Sequence, residues 1–476
     1  MTNSFTYHVI DFLLPVQKFA IQFSSVSQKR LSFVREFVLR LVNLAPMSNQ
    51  QIATYFGMSN LELDVAISDL VDRDELTIND RGLLTLTAKS IDYFSESNES
   101  PLLSTIEESS INLCFDLATF SCVGSENNLK NKLNKRAGLY LKVDINNSSI
   151  SEKLVEKNFQ SQFYQIIENN YLPNYLNRED KPSIYSVNIV KKIKELLMRL
   201  TVEFKLDANG NEVVRDDFEY LLSSEVVHEL MTVILSTNLK LDNKREVVDT
   251  MEELGDEFSN KVFESNEFRI NPSYVIELNK FEEYSKAGRL TFLGPIYLKE
   301  NRTKFLEIFS PIIDSRRKST KDFSGDKLIW IAPSDPFWGK SINFIEMLSY
   351  INLHSRTKEK VLYQPTLFVP VGGVNDYDSF RYWSNELKQF DNVRGIKEGV
   401  FGGNVEIIYM ENSFIVIIYH ITKLNKLPIT TPLGFISTDK NVVKLIGDKI
   451  LTFINGYSSY DEPNDCGKIT KILHKK

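Results

Sequence analysis

The chain has 476 residues, 42% of them hydrophobic and 25% charged, which suits two or three folded domains and excludes long disordered tracts. Its 63 acidic residues outnumber its 56 basic ones, for a net charge of -7, so overall electrostatics argue against a protein that coats nucleic acid and leave only local basic patches for phosphate contact. Cys114, Cys122 and Cys466 make no Cys-x-x-Cys pair and no even framework, which predicts reduced, buried thiols and a cytoplasmic setting.

The N-terminal stretch holds one apolar run, Phe12 to Val16, interrupted by Pro15 and flanked by Asp11 and Lys18. It lacks the basic start and long apolar centre of a signal peptide. Leu31, Val34, Val38 and Leu41 recur at helical spacing, and Pro46 ends that helix. Ser48 with Gln51 reads as a capping box opening a second helix, which Gly57 closes. Ser59 with Glu62 opens a third, with Leu63, Ile67, Leu70 and Val71 on one face. Two strand-like runs follow, Leu76 to Ile78 and Leu83 to Leu86, joined by the polar turn Asn79-Asp80-Arg81-Gly82. The run Leu86-Thr87-Ala88-Lys89-Ser90 then leads into another helix. From Leu31 to Phe94 this order resembles the winged-helix domains of bacterial regulators. The resemblance implies a fold and leaves the ligand open.

Charge narrows the ligand. A helix that reads DNA needs donors for base edges and Lys or Arg for phosphates. From Asn60 to Glu75 the third helix carries Glu62, Asp64, Asp69, Asp72, Asp74 and Glu75 against the single base Arg73. Glu62, Asp64, Asp69 and Asp72 are therefore expected to face a protein partner. The preceding helix is read as basic through Lys29, Arg30, Arg35 and Arg40, and Arg81 sits at the hairpin tip. These are candidate contacts for an acidic partner or a phosphate backbone.

Ser95 to Pro101 is a polar linker, and Ile111 to Phe120 reads as a strand. Lys130, Lys132, Lys135 and Arg136 form either a solvated helix face or a nucleic-acid patch. Thr201 to Leu206 and Glu212 to Val214 flank a hairpin turn, and Leu221 to Leu241 and Val247 to Phe263 read as helices. A second basic cluster, Arg316, Arg317 and Lys318, is placed in a loop before a strand, open to phosphate.

From about Lys327 strands and helices alternate: strands Leu328 to Ala332, Thr366 to Val371, Val405 to Met410, Phe414 to Ile421 and Gly434 to Ser437, and helices Ser341 to Leu353, Tyr382 to Phe390 and Val442 to Ile454. This pattern implies a sheet covered by helices. Ser334 to Ser341 stands where a phosphate-binding loop belongs, between strand and helix. Ser334 replaces the first glycine of that motif, Pro336 has no N–H, and Phe337 and Trp338 are bulky where phosphate must approach, so no nucleotide cofactor is expected.

The order of strands, the hairpin Val405 to Ile421 and the closing Pro432-Leu433-Gly434-Phe435-Ile436-Ser437 resemble one lobe of the phospholipase D-like superfamily. That resemblance implies a His-x-Lys pair in active members, in which His attacks phosphorus and Lys holds the phosphate oxygens. The pair is read as missing: Lys358 lies too far beyond His354, and Lys423 too far beyond His420. Scattered His and Cys give no zinc spacing, so no metal is expected.

The reading is an α+β multidomain protein: a winged-helix domain with an N-terminal extension over residues 1–95, a mixed α/β middle domain over 102–275, and an α/β sandwich-like lobe without catalytic motif over 276–476. Its expected role is that of a non-catalytic subunit of a bacterial DNA-processing or antiviral defence complex. It would bind protein partners, with DNA backbone and a second copy of the chain as further contacts, and no membrane. A phosphodiesterase or nuclease with an atypical site around His420 and Lys423, and a winged-helix transcription regulator, are the alternatives.

Overall fold

The computed structural model describes residues 4–30, 32–57, 59–94, 102–129, 137–175, 182–213, 218, 221–239, 241–261, 272, 275, 279, 288–422, 429–458 and 461–470. The architecture is mixed α/β with several sheets. The chain forms two compact units, one of Met1–Pro15, Asn131–Val143 and Leu197–Lys476, the other of Val16–Lys130 and Asp144–Leu196. These seams differ from the boundaries read near residues 95–102 and 275–276. The cause is strand pairing over long sequence distances. β1 (Phe5–Arg30) is a 26-residue strand where the sequence suggested only an extension.

In the second unit, α1 (Phe33–Leu44), α2 (Asn49–Phe56) and α3 (Asn60–Asp72) precede the hairpin of β2 (Leu76–Ile78) and β3 (Leu84–Leu86). Met47 makes an isolated antiparallel bridge to Leu84. The local signals act as read. Ser48 and Gln51 form a capping box, and Gly57 closes α2 at φ 66°, a left-handed conformation that costs glycine little. Val38, Leu39, Ile52, Leu63, Ile67, Leu70, Leu76 and Leu84 share one core. Each such side chain contributes about 1.5–3 kcal/mol on burial.

This helical module is inserted between β1 and β4 (Leu102–Asp116), which pair antiparallel from Val16↔Asp116 to Arg30↔Leu102. β5 (Cys122–Gly124) extends the sheet beyond β4. The helices Ser151–Ser161 and Phe163–Glu168 supply Phe159 and Phe163, which pack edge-on against Phe23.

In the first unit, β6 (Leu139–Tyr140) runs parallel to β1 at Phe12 and Leu13. β7 (Ser183–Leu206) also pairs with β1 and, like it, passes from one unit to the other. It ends at the expected turn, where Leu206 bridges Glu212. An eight-stranded sheet dominates this unit. It comprises β8 (Arg289–Leu293), β9 (Lys327–Ile331), β10 (Gln364–Val371), β11 (Val393–Lys397), β12 (Val405–Met410), β13 (Phe414–Ile421), β14 (Thr431–Ser437) and β15 (Asp465–Lys468). Their order is β15-β11-β10-β9-β12-β13-β14-β8. β9, β10 and β11 are parallel, and β12 to β14 form an antiparallel meander beside β9.

Helices Lys299–Lys318 and Ile342–Leu353, with Phe380 from Tyr377–Glu386, share one core with the sheet, and Lys244–Leu254 and Lys440–Ile454 share another. Burial on both faces explains why β12 and β13 read as near-continuous apolar runs. Two helices shift from their expected places. Tyr382 to Phe390 is observed as Tyr377–Glu386, capped by Asp376. Val247 to Phe263 divides into Lys244–Leu254 and Glu257–Lys261, because Gly255 closes the first at φ 72°. Among the described residues no helix is long and apolar enough to cross a membrane.

Candidate functional site

The carboxyl ends of the parallel strands, where open α/β sheets place their ligand sites, meet the C-terminal end of β13. There His420 is 2% exposed. Its Nδ1 lies 2.7 Å from Asp335 Oδ2, just beyond β9, and its Nε2 lies 3.2 Å from Glu406 Oε2 on β12. The remaining carboxylate oxygens are occupied too. Trp330 Nε1 donates to Glu406 Oε1 at 2.8 Å, and Thr430 Oγ1 and the Phe337 N–H donate to Asp335 Oδ1 at 3.1 and 3.0 Å. Asn243 fixes the strand end, donating to the His420 carbonyl and accepting from the Thr422 N–H, both at 2.8 Å.

Burial alone would push the His420 imidazole down. The hydrogen bonds and charges of Asp335 and Glu406 outweigh burial and lift it to about 9. Burial likewise works to raise the Asp335 carboxyl, yet the hydrogen bond and charge of His420 hold it below the usual carboxylate range. His8 on β1 is fully buried, and burial with the nearby His420 charge presses it down to about 4, against the opposing pull of Asp335. Among the described residues the Nε2 of His8 has no hydrogen-bond partner.

This arrangement holds a proton and presents no nucleophile. At neutral pH His420 is an imidazolium with both N–H groups donated to carboxylates. It has no lone pair to offer phosphorus and almost no surface through which substrate could reach it. One His-x-Lys triplet does occur in the chain, His474-Lys475-Lys476, contrary to the reading that the pair is missing. It lies outside the described residues, as does Lys423. Among the described residues no group of His, Cys, Asp and Glu is arranged to hold a metal.

The loop Ser334 to Ser341 spends its donors internally. The N–H groups of Ser334, Trp338, Gly339 and Lys340 bond to Gly403 O, Asp335 O, Tyr297 Oη and Phe337 O. The helix N-terminus that would meet a phosphate is already filled. Asp11 on β1 accepts from the Ile342 N–H at 2.6 Å, from Arg199 Nη1 at 2.5 Å and from Thr201 Oγ1 at 2.6 Å. A buried carboxylate thus takes the place in which helix N-termini bind anions. The Lys340 ammonium donates to the Tyr382 hydroxyl and lies 4.9 Å from the Tyr382 ring centroid.

The basic residues singled out from sequence have differing surroundings. Lys29 and Arg30 belong to β1 and not to the following helix, which begins at Phe33; their side chains lie outside the described residues. Arg35 is turned inward, where it and Tyr93 Oη hold the buried Glu75 carboxylate. Arg40 pairs with Glu36 at 2.9 Å, one helical turn away. Arg81 remains exposed in the β2–β3 turn. Lys130, Lys132, Lys135 and Arg136 lie outside the described residues.

Arg316, Arg317 and Lys318 end the helix Lys299–Lys318 and do not sit in a loop. There their charge complements the helix dipole. Arg316 is 7% exposed, donates to the Leu362 carbonyl at 2.8 Å and pairs with Asp326 at 2.8 Å, so it serves packing. Arg317 pairs with Asp314 at 3.0 Å.

The acidic helix is different. Asp64, Asp69 and Asp72 are all exposed on α3, with Asp64 accepting from Asn49 Nδ2 at 3.1 Å and Asp69 paired with Arg73 at 2.8 Å. The side chain of Glu62 lies outside the described residues. Leu61 at 78% and Val65 at 69% exposure share the outward stripe with Asp64 and Asp72, an apolar element that the inward-facing heptad pattern concealed.

No family model matches the chain, and no curated protein matches it. Among solved structures, one similar chain comes from the structure of TrmBL2, an archaeal chromatin protein said to show a novel mode of DNA binding. The match has 7% sequence identity, covers 62% of this chain and 80% of that one, and has a TM-score of 0.17. Superposition this loose carries no argument about fold or function.

Proposed function

We propose that the chain is a non-catalytic interaction subunit, and that the helix-and-hairpin module is a winged helix turned to protein contact. The observation that carries this reading is the outward face of α3. Leu61 and Val65 form an exposed apolar pair at i, i+4 spacing, flanked by Asp64, Asp69 and Asp72. Arg73, at this end, is held by Asp69, and the Lys89 ammonium donates to the Arg73 carbonyl at 2.7 Å. Such a face repels a phosphate backbone and suits a protein surface with basic groups around an apolar contact. The occupied ring nitrogens of His420 support reading the C-terminal sheet as a phospholipase D-like lobe whose histidine serves the fold and not chemistry.

The test is purification of the chain from its native host after nuclease treatment, beside an Asp64→Lys, Asp72→Lys variant. Both positions are exposed, so the variant should retain the wild-type circular dichroism spectrum. The expected result is a stoichiometric protein companion on the wild type that is lost from the variant. A companion held equally by both, or a chain that carries only nucleic acid with a steep salt dependence, would overturn the reading.

A further inference from the structure

In the second unit β7 presents an outer edge. Over residues 183–196 the described strands place β1 on one side of β7 and no strand on the other. Asn188 Nδ2 reaches Ser24 Oγ at 3.3 Å and Gln17 Nε2 reaches Glu195 Oε1 at 3.4 Å, so β7 runs antiparallel to β1. The N–H of Lys192 donates away from β1, to Glu152 Oε1 at 2.9 Å. Because the pleat alternates, the outward main-chain groups are those of the even-numbered residues.

The odd-numbered residues carry an exposed apolar series at every fourth position: Tyr185 at 67%, Ile189 at 52% and Ile193 at 48%. Monomeric proteins protect edges of this kind or use them.

We propose that this edge pairs antiparallel with the same edge of a second copy of the chain, about a two-fold axis at Ile189. The apolar series singles out that axis, because only there do Tyr185, Ile189 and Ile193 fall on one another, and main-chain parity is compatible with it. Even residues face even residues, so Ser186 meets Lys192 and Asn188 meets Val190 in the hydrogen-bonded positions, where the outward N–H and carbonyl groups already lie. Ile189 meets itself and Tyr185 meets Ile193 in the non-hydrogen-bonded positions, where side chains approach most closely.

Charge agrees as well. Lys191, Lys192, Lys194 and Glu195 oppose Val187, Ser186, Ile184 and Ser183, so no like charges face each other. An axis at residue 191 would set Lys191 against itself, and one at residue 193 would set Lys192 against Lys194. The isologous contact uses one patch twice, as a closed dimer requires. Glu152 releases the Lys192 N–H to the Ser186 carbonyl of the second copy.

Sedimentation velocity of the full chain over a wide concentration range, with an Ile189→Lys variant beside it, tests the proposal. The wild type is expected to sediment as a dimer and the variant as a monomer with unchanged circular dichroism. Register is read by cysteine cross-linking with added copper phenanthroline. Ile189→Cys is expected to give a covalent dimer, as is the Tyr185→Cys, Ile193→Cys double variant, whereas Tyr185→Cys alone is not. A monomeric wild type, a dimer that survives Ile189→Lys, or cross-linking by Tyr185→Cys alone would overturn the proposal. If Ile189→Lys fails to fold, the cross-linking series decides the matter alone.

Discussion

His420→Ala is expected to destabilise the first unit by about 3–5 kcal/mol, the usual cost of removing one partner from a buried ion pair. The substitution leaves Asp335 and Glu406, at 4% and 0% side-chain exposure, facing one another without the cation between them. Equilibrium urea denaturation measures the loss, and a change under about 1 kcal/mol would show that the cluster contributes little.

The same cluster sets a pH profile whose sign follows from the shifts. His420 is raised from 6.5 to about 9, so its contribution is complete below pH 6.5 and is lost as pH rises through 9. His8 is lowered from 6.5 to about 4, so its contribution is complete above pH 6.5 and is lost as pH falls through 4. The lowered Asp335 adds to the acid limb, because its contribution disappears as pH falls through its depressed value. Stability should therefore peak near pH 6.5 and fall on both sides. The alkaline limb should vanish in His420→Ala, and its persistence there would assign that limb to another group.

Asp11→Ala is expected to be comparably severe, at about 3–5 kcal/mol. The carboxylate is fully buried, pairs with an Arg199 that is 7% exposed, and accepts the first N–H of the helix Ile342–Leu353. Its loss removes a charge partner and a helix cap together. Asp11→Asn keeps the shape and a cap oxygen, and so should recover about 1 kcal/mol of the deficit.

A further outcome separates an anion-receiving site from ordinary packing damage. Inorganic phosphate should raise the melting temperature of Asp11→Ala more than that of the wild type, because the vacated helix N-terminus beside a guanidinium accepts an anion. Equal shifts in the two proteins would show that the site collapses when Asp11 is removed.

How far sequence reaches into this fold depends on the range of the forces involved. Val405–Met410 and Phe414–Ile421 occupy the bounds read from their apolar runs, because the turn residues between them punctuate a locally encoded hairpin. The Ser48–Gln51 capping box and Gly57 are equally local. β1 was missed because Asp11 and Pro15 look like interruptions within an apolar run. Asp11 is compatible with a buried strand because Arg199, Thr201 and the Ile342 N–H, all distant in sequence, donate to it. The alternation of Phe19, Ile21 and Phe23, all at most 1% exposed, was the signal available for its second half.

The candidate site shows the same division. His420 was visible as a lone histidine ending an apolar strand. Its partners were not, since Asp335 stood within a phosphate-loop imitation and Glu406 within the run VEIIYM. A carboxylate inside an otherwise apolar strand was the hint that a buried cation lay nearby. Arg35 and Arg316 were misplaced for the converse reason. Composition records their charge, while only tertiary packing reveals that each is already neutralised by Glu75 or Asp326.

The insertion of the helical module between β1 and β4 makes it a detachable cassette. Arg30 and Leu102 are register partners, so the chain leaves and re-enters the ladder on adjacent strands, about 4.8 Å apart. A two-residue Asn-Gly turn spans such a gap and suits a hairpin. Joining the strands in this way would excise the cassette and leave the β1–β4 pairing intact. The lineage of such a protein is accordingly free to exchange the cassette for one with another contact surface, without redesigning the scaffold that carries it.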